Sequence, residues 1–144
     1  MRLSARVDYA IRAIIELASA TDAPLTSERI ARAQEIPPKF LESILLQLRR
    51  GGVVNAQRGP EGGYWLARPA AEISLADVIE VIDGPLSQVR GQVPADLGYQ
   101  GAAKALQEVW LALEANERTM LEQVTFEHLV SGVLPVSVQQ LVAP

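Results

Sequence analysis

The chain of 144 residues contains no cysteine and a single histidine, His128. The lack of cysteine excludes disulfide bonds, thiolate metal sites and a cysteine nucleophile. A lone histidine is most often a surface or interface residue, and we interpret His128 in this way. No nucleophile–base pair, metal-ligand cluster or nucleotide-binding glycine motif is visible, because Gly59, Gly62 and Gly63 are not followed by a helix. These absences argue against an enzyme.

Long apolar runs are also missing. No segment approaches the roughly 18 apolar residues that a membrane-spanning helix needs. The first apolar stretch cannot be the core of a signal peptide, because five charged residues interrupt it: Arg2, Arg6, Asp8, Arg12 and Glu16. We therefore expect a cytoplasmic protein without membrane contact.

The charge that is present is divided unevenly along the chain. The net charge is −4, but residues 1–68 carry ten Lys and Arg against seven Asp and Glu. Residues 69–144 carry three against ten. A basic N-terminal half followed by an acidic C-terminal half is typical of proteins in which one end contacts the phosphate groups of a nucleic acid.

The front half contains the pattern of a helix-turn-helix. An amphipathic helix over 4–20, capped by Ser4, ends at Asp22-Ala23-Pro24. A short helix over 27–34 follows, with Thr26 as its N-cap. After a tight connection at Glu35-Ile36, Pro37-Pro38 opens a third helix that runs to Arg50 and stops at Gly51-Gly52. A short helix, a tight turn and a longer helix form the layout of a DNA-binding helix-turn-helix.

The third helix has two faces of different character. One is a wide apolar stripe that we assign to the core: Phe40, Leu41, Ile44, Leu45 and Leu48. The other carries side chains that can bond base edges or phosphates: Lys39, Glu42, Ser43, Gln47 and Arg50. Taken alone, such a polar face is more often simply solvated.

A wing directly after this helix favours the DNA-binding interpretation. Val53-Val54 and Tyr64-Trp65-Leu66 are β-prone runs on either side of a glycine- and proline-rich tip, which predicts a hairpin over 53–66. The tip carries Arg58 and Gly59. An arginine on such a narrow tip can enter the minor groove of DNA.

The back half predicts an oligomerisation arm. Ser74 and Asp77 form a capping box for a helix that ends near Asp83, and 84–101 is a loop. A helix over about 102–123 carries a coiled-coil-like seam that we expect to pair with a second copy: Leu106, Trp110, Leu113 and Met120. A short helix over 126–131, with Thr125 as its N-cap, and a loosely held tail, 132–144, complete the chain. The predicted fold is mainly α with a small β-hairpin, a winged helix-turn-helix over 1–83 followed by a dimerisation helix.

Several stretches together resemble the Rrf-two type bacterial regulators, the relatives of IscR, NsrR and CymR. The resemblance covers about residues 1–131 and is carried by Met1-Arg2-Leu3-Ser4, Asp8-Tyr9-Ala10-Ile11-Arg12-Ala13, Phe40-Leu41-Glu42-Ser43-Ile44-Leu45, Arg58-Gly59-Pro60-Glu61-Gly62-Gly63-Tyr64-Trp65-Leu66, Ile73-Ser74-Leu75-Ala76-Asp77-Val78-Ile79 and Val124-Thr125-Phe126-Glu127-His128-Leu129-Val130. It implies a homodimeric transcription regulator, with a repressor favoured, that reads a palindrome in double-stranded DNA. Carried onto this chain, the base contacts fall at Lys39, Glu42 and Ser43, and the wing contact at Arg58.

The chain departs from this family at the sensor. Iron–sulfur members hold a cluster through cysteines in the loop before the dimer helix, and loop 84–101 contains neither cysteine nor histidine. We therefore expect a member without a cofactor. Tyr99 and Trp110 near this loop are packing residues or, alternatively, line a pocket for an unknown effector, with Arg90 or Asp8 as polar partners. The alternative to DNA binding is a winged-helix module that contacts another protein.

Overall fold

The computed structural model describes residues 1–21 and 24–144, so Asp22 and Ala23 of the expected break after the first helix lie outside the described residues. The elements are α1 (Ala5–Ser19), α2 (Ser27–Gln34), α3 (Pro38–Arg50), β1 (Val54–Gln57), β2 (Gly63–Leu66), α4 (Leu75–Asp83), α5 (Leu106–Gln123), α6 (Phe126–Ser131) and α7 (Val136–Val142). The fold is mainly helical with one antiparallel hairpin, which confirms the predicted class.

Side-chain caps begin four of these helices where the sequence predicts them. The hydroxyl groups of Ser4, Thr26, Ser74 and Thr125 each accept a backbone N–H from the first turn of α1, α2, α4 and α6. Each such cap stabilises a helix by about 1 kcal/mol. The lone histidine belongs to one of them, because Nδ1 of His128 accepts the backbone N–H of Thr125 at 3.0 Å. His128 therefore has a local structural role.

The turn between α2 and α3 is held from α1. Glu35 adopts a left-handed conformation with φ 51°, which ends α2 and redirects the chain. Arg12 donates to the carbonyl oxygen of Gln34 at 2.7 Å, and the Gln34 amide donates to the Glu16 carboxylate at 2.6 Å. These bonds satisfy the C-terminal end of α2 and hold the helix-turn-helix against α1.

The wing is tied to the residues that precede α2. In the hairpin Val54 pairs with Leu66 and Gln57 pairs with Gly63. Leu25 and Tyr64 exchange two backbone hydrogen bonds of 2.8 and 3.0 Å, so Leu25 forms an isolated β-bridge at the edge of the hairpin. The base of the wing is therefore fixed, while its tip projects beyond the sheet.

One hydrophobic core joins both ends of the chain. Its fully buried members come from several helices, among them Ile14, Leu45 and Val78, and Phe126 of α6 lies in the same cluster. The end of the expected dimerisation unit, 102–131, therefore packs into the core of the winged helix-turn-helix. Within the described residues, no helix combines the length and apolar character needed to cross a membrane.

Three local expectations were wrong. Phe40 was assigned to the core but is 54% exposed, because its ring lies at the core's edge with its centroid 6.3 Å from that of Tyr9. The tail, expected to be loose, contains α7, whose Val138 is buried. The long helix begins at Leu106 instead of about 102, because Gly101–Ala103 forms a separate 3-10 turn.

Candidate nucleic-acid interface

The polar face of α3 is open to solvent. Lys39, Glu42 and Arg50 are exposed and make no side-chain hydrogen bond or ion pair with any other residue that the structure describes. Pro38 at the start of the helix holds the first turn rigid without needing a backbone donor. These side chains are therefore available to an external partner.

Two other side chains on this face are already engaged. Arg6 of α1 donates to the hydroxyl of Ser43 at 2.7 Å and to the amide oxygen of Gln47 at 2.7 Å. The Gln47 amide nitrogen approaches the carbonyl oxygen of Ile82 at 3.5 Å, and Gln47 is only half-exposed. The sequence assigns no role to Arg6, since nothing in its spacing connects the first turn of α1 with α3.

The wing and α2 form a groove beside this face. Arg58 and Gly59 at the wing tip are exposed, and they line the groove together with Arg49 and the first residues of α2, Ser27 and Glu28. Two guanidinium groups beside a helix N-terminus form an environment that suits phosphate. Arg49, near the end of α3, lines the groove although the sequence analysis does not assign it to DNA binding.

The wing and α3, the second helix of the helix-turn-helix and thus its expected recognition helix, lie on one surface. Glu28 borders the groove beside Arg58 and also the depression between α2 and α3 that Glu42 lines. A partner that contacts the wing tip can therefore contact the exposed face of α3 as well.

An ion pair connects α5 to this unit. Arg118 of α5 donates to the Glu80 carboxylate of α4 at 2.8 Å. The hydrogen bond that Arg118 donates to Glu80 raises the pKa of Arg118 above its ordinary value, and Arg118 is charged at every physiological pH in any case. The pair is half-exposed, so it orients α5 more than it stabilises the fold.

One side of α5 is left uncovered by the described part of the chain. Leu121 is its one buried residue. The predicted seam is largely exposed, with Leu106 at 40%, Leu113 at 45% and Met120 at 40% exposure, and Val109 is 54% exposed. An apolar helix face of this kind marks a surface that another protein covers.

The loop before α5 borders an open cavity. Trp110 donates its indole N–H to the Tyr99 hydroxyl at 3.0 Å, and the guanidinium of Arg90 lies 5.7 Å from the Tyr99 ring centre. A neighbouring cavity of about 510 Å³ is lined by apolar residues, among them Trp110, and by the carboxylates Asp83 and Glu117. The structure thus brings Arg90, Tyr99 and Trp110 together. Asp8, the fourth residue of the suggested pocket, does not line this cavity and pairs with Arg12 on α1 at 3.1 Å.

The donors around this loop do not fit an iron–sulfur cluster. Such clusters are held by thiolates, with imidazoles as the usual substitute. The sequence has no cysteine, and the described residues contain no group of three or more histidine, aspartate or glutamate side chains that could hold a metal ion. Oxygen donors are a poor match for thiophilic iron.

Comparison with known proteins decides the family. Residues 3–132 match the Rrf2 family model, described as "Iron-dependent Transcriptional regulator". The chain belongs to the Rrf2 family. It is 48% identical over 142 residues to Rv1287 of Mycobacterium tuberculosis, which is provisionally named an HTH-type transcriptional regulator; the match covers 98% of this chain and 88% of the relative. It is 33% identical to the HTH-type regulator IscR of Escherichia coli O9:H4, over 97% of this chain and 88% of IscR.

Solved structures agree with this assignment. The solved structure of CymR of B. subtilis superimposes with a TM-score of 0.77 at 30% identity, over 91% of this chain and 97% of CymR. The IscR structure from T. potens, at 23% identity, has the same fold with a TM-score of 0.72 over 100% of this chain and 93% of that one. This member of the Rrf2 family is thus a DNA-binding transcription regulator with a winged helix fold, and not an enzyme.

Proposed function

We propose that this Rrf2 protein is a homodimeric repressor that reads a palindromic operator in the bacterial cytoplasm without an iron–sulfur cluster. The observation that carries the proposal is the shared surface of α3 and the wing, on which Lys39, Glu42 and Arg58 are exposed. Lys39 can donate to guanine, and Glu42 can accept from the amino group of cytosine. Arg58 enters the minor groove, where Gly59 allows close approach of the backbone.

Contacts to phosphate groups fix the position and orientation of the protein on the DNA. Arg49 and the N-terminus of α2 hold one phosphate in the groove beside the wing, and Arg50 at the end of α3 contacts another. Such contacts supply affinity and steep salt dependence without sequence preference. Phe40 adds an exposed ring at the start of α3 that can pack against a thymine methyl group.

Dimerisation follows from the exposed face of α5. A second copy of the chain covers Leu106, Leu113 and Met120 and brings two recognition helices to one side of the dimer. Helix-turn-helix dimers place such helices about 34 Å apart, one turn of DNA. The operator is then a palindrome whose half-sites have this spacing.

The absence of thiolates makes a cluster-free regulator the best account of the sensor loop. Its test is direct: protein purified without oxygen should contain no stoichiometric iron and show no visible charge-transfer band. Stoichiometric iron with acid-labile sulfide would refute this part of the proposal. The cavity beside Trp110 is the place where an effector, a small molecule or a protein, would act instead.

The deciding experiment selects bound fragments from the genome and from random duplexes. We expect a palindromic consensus, and Glu42→Ala should relax the preference at one base pair in each half-site. Glu108→Ala, which removes an exposed carboxylate from α5, is the matched control and should not alter the consensus. If no duplex shifts in a mobility assay even at low salt, the winged helix instead contacts a protein.

A further inference from the structure

We propose that Arg6 fixes the hydroxyl of Ser43 as a hydrogen-bond donor and thereby sets the base that this position of the recognition helix accepts. The inference rests on the proposed reading of DNA by α3. It makes Arg6, which lies on α1, a positioning residue for specificity, and it gives Gln47 the role of holding Arg6.

The geometry places Arg6 between two side chains that are one helical turn apart on α3. Its Nη2 lies 2.7 Å from the Ser43 hydroxyl oxygen, and its Nε lies 2.7 Å from the Gln47 amide oxygen. Nη2 also bonds the same oxygen of Gln47. A planar guanidinium held by two bonds to one acceptor has little rotational freedom, so its third contact, to Ser43, is fixed as well.

The amide of Gln47 is oriented in turn. Because the guanidinium carries only donors, the amide oxygen must face Arg6 and the amide nitrogen must point away from it. That nitrogen approaches the last turn of α4 at the Ile82 carbonyl, 3.5 Å away. Gln47 is half-buried in this arrangement, so its functional groups are turned away from the solvent-exposed side of α3.

The consequence for Ser43 follows from donor and acceptor chemistry. A serine hydroxyl can normally donate or accept, and on a helix it often donates back to a carbonyl four residues earlier, here that of Lys39. The guanidinium occupies one acceptor position of the oxygen and repels the hydroxyl proton. Within the described residues the Ser43 hydroxyl donates to neither the Lys39 carbonyl nor any other group, and Ser43 is exposed, so its proton is available to an external acceptor.

A fixed donor discriminates among bases. Guanine O6 and N7, adenine N7 and thymine O4 are acceptors in the major groove, whereas cytosine presents an amino donor. Ser43 with Arg6 should therefore reject cytosine at its position. Glu42 beside it is an acceptor and prefers the amino donor of cytosine. The two neighbouring residues therefore select opposite hydrogen-bonding groups on the bases.

Arg6 variants with matched chemistry separate this role from others. On the consensus obtained from random duplexes, binding is measured for all four bases at each half-site position. Arg6→Lys keeps a positive, donor-only side chain, and Arg6→Gln introduces a group that also accepts. We expect wild type to disfavour cytosine at one position by about fivefold to tenfold, the range of one hydrogen bond. Arg6→Gln, Arg6→Ala and Ser43→Ala should each remove this preference at that same position, and Arg6→Lys should retain part of it.

Two controls complete the design. Gln47→Ala should weaken the same preference, and the Arg6→Ala/Gln47→Ala double variant should lose no more than Arg6→Ala alone. Lys104→Ala removes one positive charge outside the winged helix and should leave the preference intact. Circular dichroism of every variant shows whether it is folded.

Three results would overturn the inference. Equal weakening on all sequences, with a shallower salt dependence, would make Arg6 a phosphate contact. An unchanged cytosine penalty in folded Arg6→Gln would show that Ser43 needs no partner. A consensus that Ser43→Ala leaves unaltered at every position would remove Ser43 from the reading. Failure of the wild-type protein to select any duplex would instead overturn the proposed function, and this inference with it.

Discussion

Leu113→Ala on α5 tests the dimer at its expected centre. Leu113 is 45% exposed in the single chain and lies in the seam between Leu106 and Met120. Pairing with a second copy would complete its burial. Truncation to alanine should therefore weaken the dimer without harming the core of either protomer, since Leu113 lines the cavity beside Trp110 but is not part of that core.

The size of the effect can be worked from the exposed fraction. Full burial of a leucine side chain contributes about 2 kcal/mol, so burying the remaining half contributes about 1 kcal/mol. A two-fold dimer contains two copies of Leu113, which doubles the loss to about 2 kcal/mol. This loss corresponds to a roughly 30-fold higher dissociation constant of the dimer.

Sedimentation equilibrium over a range of protein concentrations measures that constant. Glu108→Ala is the control, because Glu108 lies five residues earlier on α5, on nearly the opposite side of the helix, and is exposed. The operator-binding curve of Leu113→Ala should rise more steeply with protein concentration than that of wild type, because the monomers must then assemble on DNA. A dissociation constant that stays within threefold of wild type would show that this face of α5 is not the dimer interface.

Other positions yield predictions of different kinds. Arg58→Ala should weaken operator binding most where the minor groove is A/T-rich, and equal weakening on all duplexes would reduce Arg58 to a phosphate contact. Gly63→Ala should destabilise the wing by about 1–3 kcal/mol in urea unfolding, because Gly63 has φ +148° and a new Cβ would lie 2.5 Å from the Leu25 carbonyl oxygen. Phe126→Ala should lower the unfolding free energy by about 3–5 kcal/mol, since the ring is fully buried; a thermal midpoint within a degree of wild type would mean that α6 is not part of the core.

The sequence was most informative where local chemistry decides structure. Ser4, Thr26, Ser74 and Thr125 predicted the helix starts because a capping hydroxyl acts within three residues. Gly51-Gly52 and the glycine-rich wing tip likewise marked the ends of α3 and of the strands. These signals need no information about distant parts of the chain.

Contacts between distant segments were the ones that the sequence could not predict. Phe40 has the spacing of a core residue, yet the core ends beside Tyr9, and its limit depends on how α1 crosses α3. Gln47 has the spacing of a DNA contact, yet Arg6, which is 41 residues away, engages it. Helical periodicity identifies the face of a residue but not the neighbour that the fold brings against that face.

The uneven charge of the chain affects how DNA approaches as well as how tightly it binds. The acidic residues of the back half include Glu108, Glu114 and Glu122 on α5, whereas Lys39, Arg49 and Arg58 lie on the surface of α3 and the wing. A polyanion is repelled by the first set and attracted by the second, so collisions in the wrong orientation are short-lived. Screening limits these forces to about 8 Å at physiological ionic strength, and raising the salt concentration should slow association more than it speeds dissociation. A net negative protein can therefore still find DNA quickly, because only the surface that reads DNA has to be basic.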